Sequence, residues 1–152
     1  MPTVFATLHE LRAAAGRHLG WTAWVDITQE RVNLFADATG DHQWIHVDVA
    51  RATAESPFGG PIAHGYLTLA LSNLFLPQLI EVPAASAGIN YGTGRVRFPS
   101  PVPVGSRVRG GAEITAVDDI AGGLQTTITI TIQVEGQDKP ACVIESLSRW
   151  LA

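Results

Sequence analysis

Asp41 and His46 stand five residues apart, directly after Gly40. A carboxylate and an imidazole this close, in a stretch without regular periodicity, can converge on one water molecule. Together they can take a proton from it and return one to carbon. Histidine suits such work because its ordinary pKa of about 6.5 keeps both protonation states within reach of neutrality. The same spacing also fits a helix cap followed by a satisfied polar side chain. A second chemical feature is Ala63-His64-Gly65, which opens a long apolar stretch. Unpaired N–H groups at a helix start, with the positive end of the helix dipole, favour negative charge. His42 and His46, four apart beside Asp41 and with His64 further on, raise a metal reading. The two would share a face only on a helix, and the segment reads as irregular, so no metal is expected. GxGxxG, P-loop and GxSxG patterns are absent, which removes support for nucleotide binding and serine hydrolysis.

The elements that must position these residues divide by half. Thr7–Arg17 has the spacing of an opening helix, and Trp21–Ile27 that of a short strand. Thr28 is placed to cap a helix over Gln29–Thr39, whose Val32, Phe35 and Ala36 follow helical spacing. Gly40 suits the left-handed position just past its end. Asp41–Val49 reads as irregular, followed by a short helix from about Asp48 to Glu55 and a turn-rich loop over Ser56–Pro61. Ala63–Leu76 is apolar on nearly all faces and is expected to be a helix buried on all sides, with Pro77 limiting its far end. After Gly88 come β-prone runs over Ile89–Phe98, Ser106–Val117, Leu124–Val134 and Ala141–Leu151, with turns at Gly122–Gly123 and Glu135–Asp138. Within Leu124–Val134, Thr126, Ile128, Ile130, Ile132 and Val134 share one face, the period of a half-buried antiparallel strand. One buried helix followed by consecutive long strands gives an α+β domain, with an antiparallel sheet wrapped around a long central helix over residues 1–152.

Composition narrows the partners. The chain carries 10 Lys+Arg against 14 Asp+Glu, and the basic residues are scattered, so no nucleic acid is expected. The exception is Arg95, Arg97, Arg107 and Arg109, which reads either as a solvated sheet face or as a cationic rim for a phosphate-bearing ligand. A low charged fraction of 16% with four Trp points to a partner, often a second copy, over some apolar surface. The start of the chain lacks a signal-peptide pattern. Its most apolar stretch, Gly65–Ile80, is interrupted by Thr68, Ser72, Asn73, Pro77 and Gln78 and is too short to span a bilayer. Cys142 is the sole cysteine, so no internal disulfide forms, which fits a cytoplasmic protein.

The stretch FADATGDHQWIHVDVARA, Phe35–Ala52, resembles the signature of the MaoC-like, (R)-specific enoyl-CoA hydratase family. Phe35, Gly40, Asp41, Ile45, His46 and Ala52 fall in register. Gln43 and Trp44 stand where many members carry Asn and Pro, and this variant is similar to the nodulation protein N-like branch. The likeness continues through PIAHGYLTLA (Pro61–Ala70) and NYGTGRVRFPSPVPVGSRVR (Asn90–Arg109).

That resemblance implies a hot-dog fold and a hydro-lyase that adds water to a trans-2-enoyl-CoA, giving the (3R)-hydroxyacyl-CoA by syn addition. It implies Asp41 and His46 as the catalytic pair, with the Gly65 amide holding the thioester oxygen as it becomes an enolate. It also implies a homodimer, an acyl-CoA substrate and no cofactor. His64 reads as ordering the loop. Gln43 either holds Asp41 or the water, or is a surface residue. Asn73 falls where some members place a supporting serine, and either supports the site or bonds within its helix. Trp44, Phe58 and Tyr91 are candidates for the acyl tunnel, and Arg95 and Arg97 for the CoA phosphates. Two rival readings are an acyl-CoA thioesterase and a silent acyl-CoA-binding module. Many hot-dog thioesterases carry a carboxylate on the central helix, whereas Gly65–Ile80 has none, the first being Glu81.

Overall fold

A computed structural model describes residues 1–152. Its elements run β1 (Thr3–Val4), α1 (Leu8–Arg12), β2 (His18–Trp21), β3 (Val25–Asp26), α2 (Gln29–Thr39), α3 (Trp44–Val47) and α4 (Val49–Glu55). They continue with α5 (Gly65–Ala70), α6 (Ser72–Leu79), β4 (Ile80–Glu81), β5 (Ala87–Arg97), β6 (Arg107–Ile120), β7 (Gly123–Val134) and β8 (Cys142–Leu151). The large sheet is antiparallel in the order β2-β6-β7-β8-β5, with β3 also pairing β6. β1 and β4 form a separate parallel pair.

The expected alternation over Leu124–Val134 holds at every position of β7. Leu124, Thr126, Ile128, Ile130, Ile132 and Val134 are buried and the residues between them are not. This face meets Leu67, Phe75 and Leu79 from α5 and α6, and Leu71 between them, in one contiguous core that also takes in Leu11, Ile27 and Val32. Close approach of helix to sheet is permitted by Gly110 on β6, where a Cβ would fall 2.7 Å from the Phe75 side chain. Antiparallel sheet with helices packed on one face is the hot-dog arrangement expected from the sequence.

Several boundaries differ from expectation. The opening helix is only Leu8–Arg12, capped by Thr7, and His18 already belongs to β2. The expected strand Trp21–Ile27 is instead two short segments, β2 and β3, both paired to β6. Thr22 between them is tied to the same strand, its amide donating to the Gly110 carbonyl and its hydroxyl accepting the Gly110 N–H. The segment expected to be irregular after Asp41 contains the one-turn helix α3.

The central helix is not continuous. It breaks at Leu71 between α5 and α6, although Leu71 keeps right-handed helical angles and both flanking turns bond across it. Pro77 does not limit it, since α6 runs on to Leu79. Proline in a final turn costs one bond, here to the Asn73 carbonyl, while its ring still accepts the helical φ. Nor is the helix buried on all sides. Leu67, Leu71, Phe75 and Leu79 form the core stripe, whereas Tyr66 and Leu74 are exposed. No helix is long and apolar enough to cross a membrane.

Candidate active site

Local sequence sets the first half of the site. Thr28 caps α2 through its hydroxyl, which accepts the Arg31 N–H, and Gly40 ends it at φ 81°. That left-handed turn releases Asp41 outward, where its carboxylate accepts the Gln43 N–H at 3.3 Å. Gln43 then starts α3, and one turn later His46 points inward and is buried.

His46 is fixed from two sides. Its Nδ1 lies 2.7 Å from the Ile62 carbonyl, so Nδ1 carries the proton and donates, leaving Nε2 as a bare acceptor. Its own carbonyl accepts from the Gln29 amide at 2.8 Å. His64 donates from Nε2 to the Asp41 carbonyl at 2.9 Å, which anchors the loop by its backbone. The distance from that nitrogen to the Asp41 carboxylate is 4.0 Å, and the carboxylate is half exposed, so the backbone bond is the stronger tie. The His46 and His64 rings stack at 4.0 Å between centroids, and Phe35 packs on His64 at 4.9 Å.

Asp41, His46 and His64 thus each offer a polar atom within 4.8 Å of the others. These three are common metal ligands, but rings inclined by only 26° direct their in-plane lone pairs side by side rather than toward one point. The His64 nitrogen facing Asp41 is also already spent on a carbonyl. His42, the other histidine of the stretch, turns away to pair with Asp37 at 2.9 Å. The arrangement suits proton transfer better than a metal seat.

Electrostatics favour a base. Burial pushes the His46 pKa below its ordinary value of 6.5, and the neighbouring His64 pushes the same way. The bond to Ile62 and the Asp41 charge oppose that only in part. His46 is therefore neutral near neutrality, with its free nitrogen available. His42 moves the opposite way because Asp37 hydrogen-bonds it.

Gly65 directly follows His64 and begins α5, and its N–H has no acceptor within the protein. A Cβ there would lie 3.5 Å from the Phe98 ring, an ordinary contact, so close packing does not require this glycine. A recess bounded by Ile62, Gly65, Thr68, Phe98 and Val102 lies alongside.

The other sequence candidates lie elsewhere in the chain. The Gln43 side chain is exposed and makes no hydrogen bond, so its contribution is the backbone turn. Asn73 bonds Asn90 at 3.1 Å, about 12 Å along the helix from Gly65 at 1.5 Å per residue. Tyr91 on β5 lies under the Arg149 guanidinium. Val96 pairs with core-facing Ile144, so its neighbours Arg95 and Arg97 project from the opposite sheet face. Arg107 pairs with Glu135, and Arg109 sits over Trp21 and Trp24 while bonding Gln133. The four arginines therefore do not form one rim within a single chain. Sequence reasoning missed Gln29 and the Ile62 carbonyl, which reach His46 from 17 and 16 residues away. Neither leaves a local signal.

Comparison with known proteins identifies the family. Residues 10–136 match the MaoC like domain. The chain is 54% identical over 149 residues to 3-hydroxyacyl-thioester dehydratase Z of Mycobacterium tuberculosis, covering 97% of this chain and 98% of that protein. It is 45% identical over 151 residues to nodulation protein N of Rhizobium meliloti, covering 96% and 89%. Among solved structures, the (R)-hydratase from A. caviae involved in PHA biosynthesis superposes with TM-score 0.74 at 27% identity, covering 90% of this chain and 96% of that one. On fold and sequence, the chain belongs to the MaoC-like dehydratase family.

Proposed function

We propose that the chain is an (R)-specific hydro-lyase that interconverts a trans-2-enoyl thioester and its (3R)-3-hydroxyacyl thioester, with CoA as the carrier. The observation that carries this reading is the bare nitrogen of neutral, buried His46 beside the Asp41 carboxylate. In the hydration direction both groups hold one water. His46 takes its proton as oxygen bonds to C3, and Asp41 stabilises the imidazolium that forms. The same proton returns to C2 from the same side, which makes the addition syn. The electron pair passes through the thioester carbonyl, and the Gly65 N–H receives the resulting enolate oxygen. Water and a thioester balance this reaction, so it needs no metal or redox cofactor.

Several features extend the proposal. One contiguous core runs from Phe5 to Ile144, which supports a single domain. β5 is an 11-residue sheet edge carrying exposed Ile89 and Tyr91, and the open helix side adds Tyr66 and Leu74. An edge this long is a template for pairing with another strand, and a second copy of the chain is the occupant we assign. Outward-facing Arg95 and Arg97 then fall near that junction, placed to meet CoA phosphates. The unpaired, buried Cys142 fits a reducing cytoplasm. A thioesterase lacks the helix carboxylate it would use, since α5 and α6 carry neither Asp nor Glu.

Crotonyl-CoA hydration, followed by loss of enoyl absorbance, tests the reading. Asp41→Ala and His46→Ala should each lose ~10²–10⁴ in rate. Native rates in both variants would end the assignment.

A further inference from the structure

Three recesses follow one another along a single side of the central helix. The first touches Gly65 and Thr68, the next Leu69 and Asn73, the last Asn73, Leu76 and Ile80. Positions recurring at three and four residues lie on one helix face. The opposite wall follows in reverse order, from Phe98 through Thr93 and Asn90 to Gly88. A trough therefore leads from the helix start, where the thioester carbonyl would sit, down between helix and β5.

It ends in a half-open cavity of about 320 Å³, room for about ten water volumes, with Ser148 buried at its floor and Asn73 and Asn90 exposed at its mouth. The lining there is half polar and wholly uncharged. It includes Ser72, Asn73, Asn90, Ser146 and Ser148, above the Trp150 ring. Ser148 is buried at 4% exposure, yet neither its hydroxyl nor that of Ser146 or Ser72 bonds any protein group. The Asn90–Asn73 bond at 3.1 Å uses one N–H and one oxygen, leaving a free amide oxygen and a free NH₂ at the cavity mouth. The Trp150 N–H is already spent on Thr126. A pocket for a plain alkyl tail has no use for this set, because each group must be stripped of water without a partner.

We infer that this cavity selects an acyl chain bearing a hydroxyl beyond its reacting carbons, the hydroxyl bonding to Ser148, Ser146 and the Asn73–Asn90 pair. A hydroxyl is both donor and acceptor, and so matches serines and a half-used amide pair. A carboxylate tail would find no cation there. The inference rests on the hydratase reading for the direction of the trough, but not for the chemistry of the cavity.

Equilibrium binding of saturated thioesters tests it, because these cannot turn over. Hexanoyl-, octanoyl- and decanoyl-CoA are compared with their ω-hydroxy counterparts on the native chain and on S146V/S148V. At the length that reaches the cavity, the hydroxylated ester should bind about tenfold tighter, the worth of one or two well-placed hydrogen bonds. The double variant should abolish or reverse that preference. S146A/S148A repeats the measurement without added bulk, and thermal melting confirms that both variants fold. Equal or tighter binding of the plain ester at every length overturns the inference. So does an equal loss for every ester in the variants, which would put the pantetheine arm in the cavity. Crotonyl-CoA hydration is measured alongside. Its presence without a hydroxyl preference defeats the cavity alone, whereas a preference without hydration defeats the hydratase reading alone.

Discussion

Replacing His64 with leucine should separate stability from activity. The His64 side chain supplies one hydrogen bond, to the Asp41 carbonyl, stacks on His46 and takes the tilted Phe35 ring against it. Losing that bond costs about 1 kcal/mol, since the carbonyl of an exposed residue can return to water. Losing the stacking costs about 0.5–1.5 kcal/mol. Against this, the buried Nδ1 of His64 has no partner, and removing an unsatisfied polar atom recovers about 1–3 kcal/mol. Leucine fills nearly the same volume, so the cavity contribution is small. The opposing effects nearly cancel, and the melting temperature should move by less than ~4 °C. Activity should not be spared. The Asp41 backbone loses its anchor, and a misplacement of about 1 Å in such a constellation costs ~10²-fold. Crotonyl-CoA hydration and a thermal melt on the same preparation measure both. Activity within about twofold of native would refute the argument that His64 positions Asp41. A large drop in melting temperature would refute the claim that its Nδ1 is unsatisfied.

Three further outcomes follow from the same structure. Because burial holds the His46 pKa below 6.5, the acid limb of kcat/KM should lie below pH 6.5. Between 6.5 and the lowered folded value the unfolded chain binds a proton that the folded chain refuses, so stability should fall as pH drops through that window and level off beneath it. An acid limb above 6.5, or stability that rises on acidification there, would contradict this. Cys142 is fully buried and its thiol is pushed up to about 11, so a thiol reagent at neutral pH should label it only after denaturation, and rapid native labelling would count against the core placement. If β5 pairs with a second copy, mass in solution should be twice that of one chain. Specific activity should then fall on dilution into the monomer range, and a fully active monomer would remove the dimer from the mechanism.

What the sequence revealed, and what it hid, divides by range. Thr28 and Gly40 announced both ends of α2 because capping is written in adjacent residues. The β7 alternation was equally plain, since a strand buried on one face must repeat every second residue. Asp41 and His46 were visible through their local spacing and the surrounding signature. The bonds that hold them were not. Ile62, Gln29 and His64 act on this loop through contacts 16 to 23 residues away, and each of the three bonds ends on a backbone carbonyl, a group that any residue type would supply. The central helix misled in a different way. Its uniform apolarity reads as burial on every side, but hydrophobic residues mark any surface that something covers. A fold-internal stripe and a face left for another molecule look alike in one dimension.

That exposed face bears on the chemistry. His46 and His64 are buried, while the Asp41 carboxylate they accompany is half open to water. In that setting its attraction for a developing imidazolium is weakened severalfold relative to a dry site. The chain alone therefore positions a base without fully enclosing it. Phe98, just past the end of β5, stands against Gly65, so whatever pairs along that edge also approaches the mouth of the site. A second copy on β5 and a thioester in the trough would together exclude bulk solvent while keeping the single water that the reaction consumes. On the proposed dimer, the same open surface that looks like a defect in the isolated fold would be where the reaction acquires its low dielectric, and assembly would become part of the catalytic apparatus.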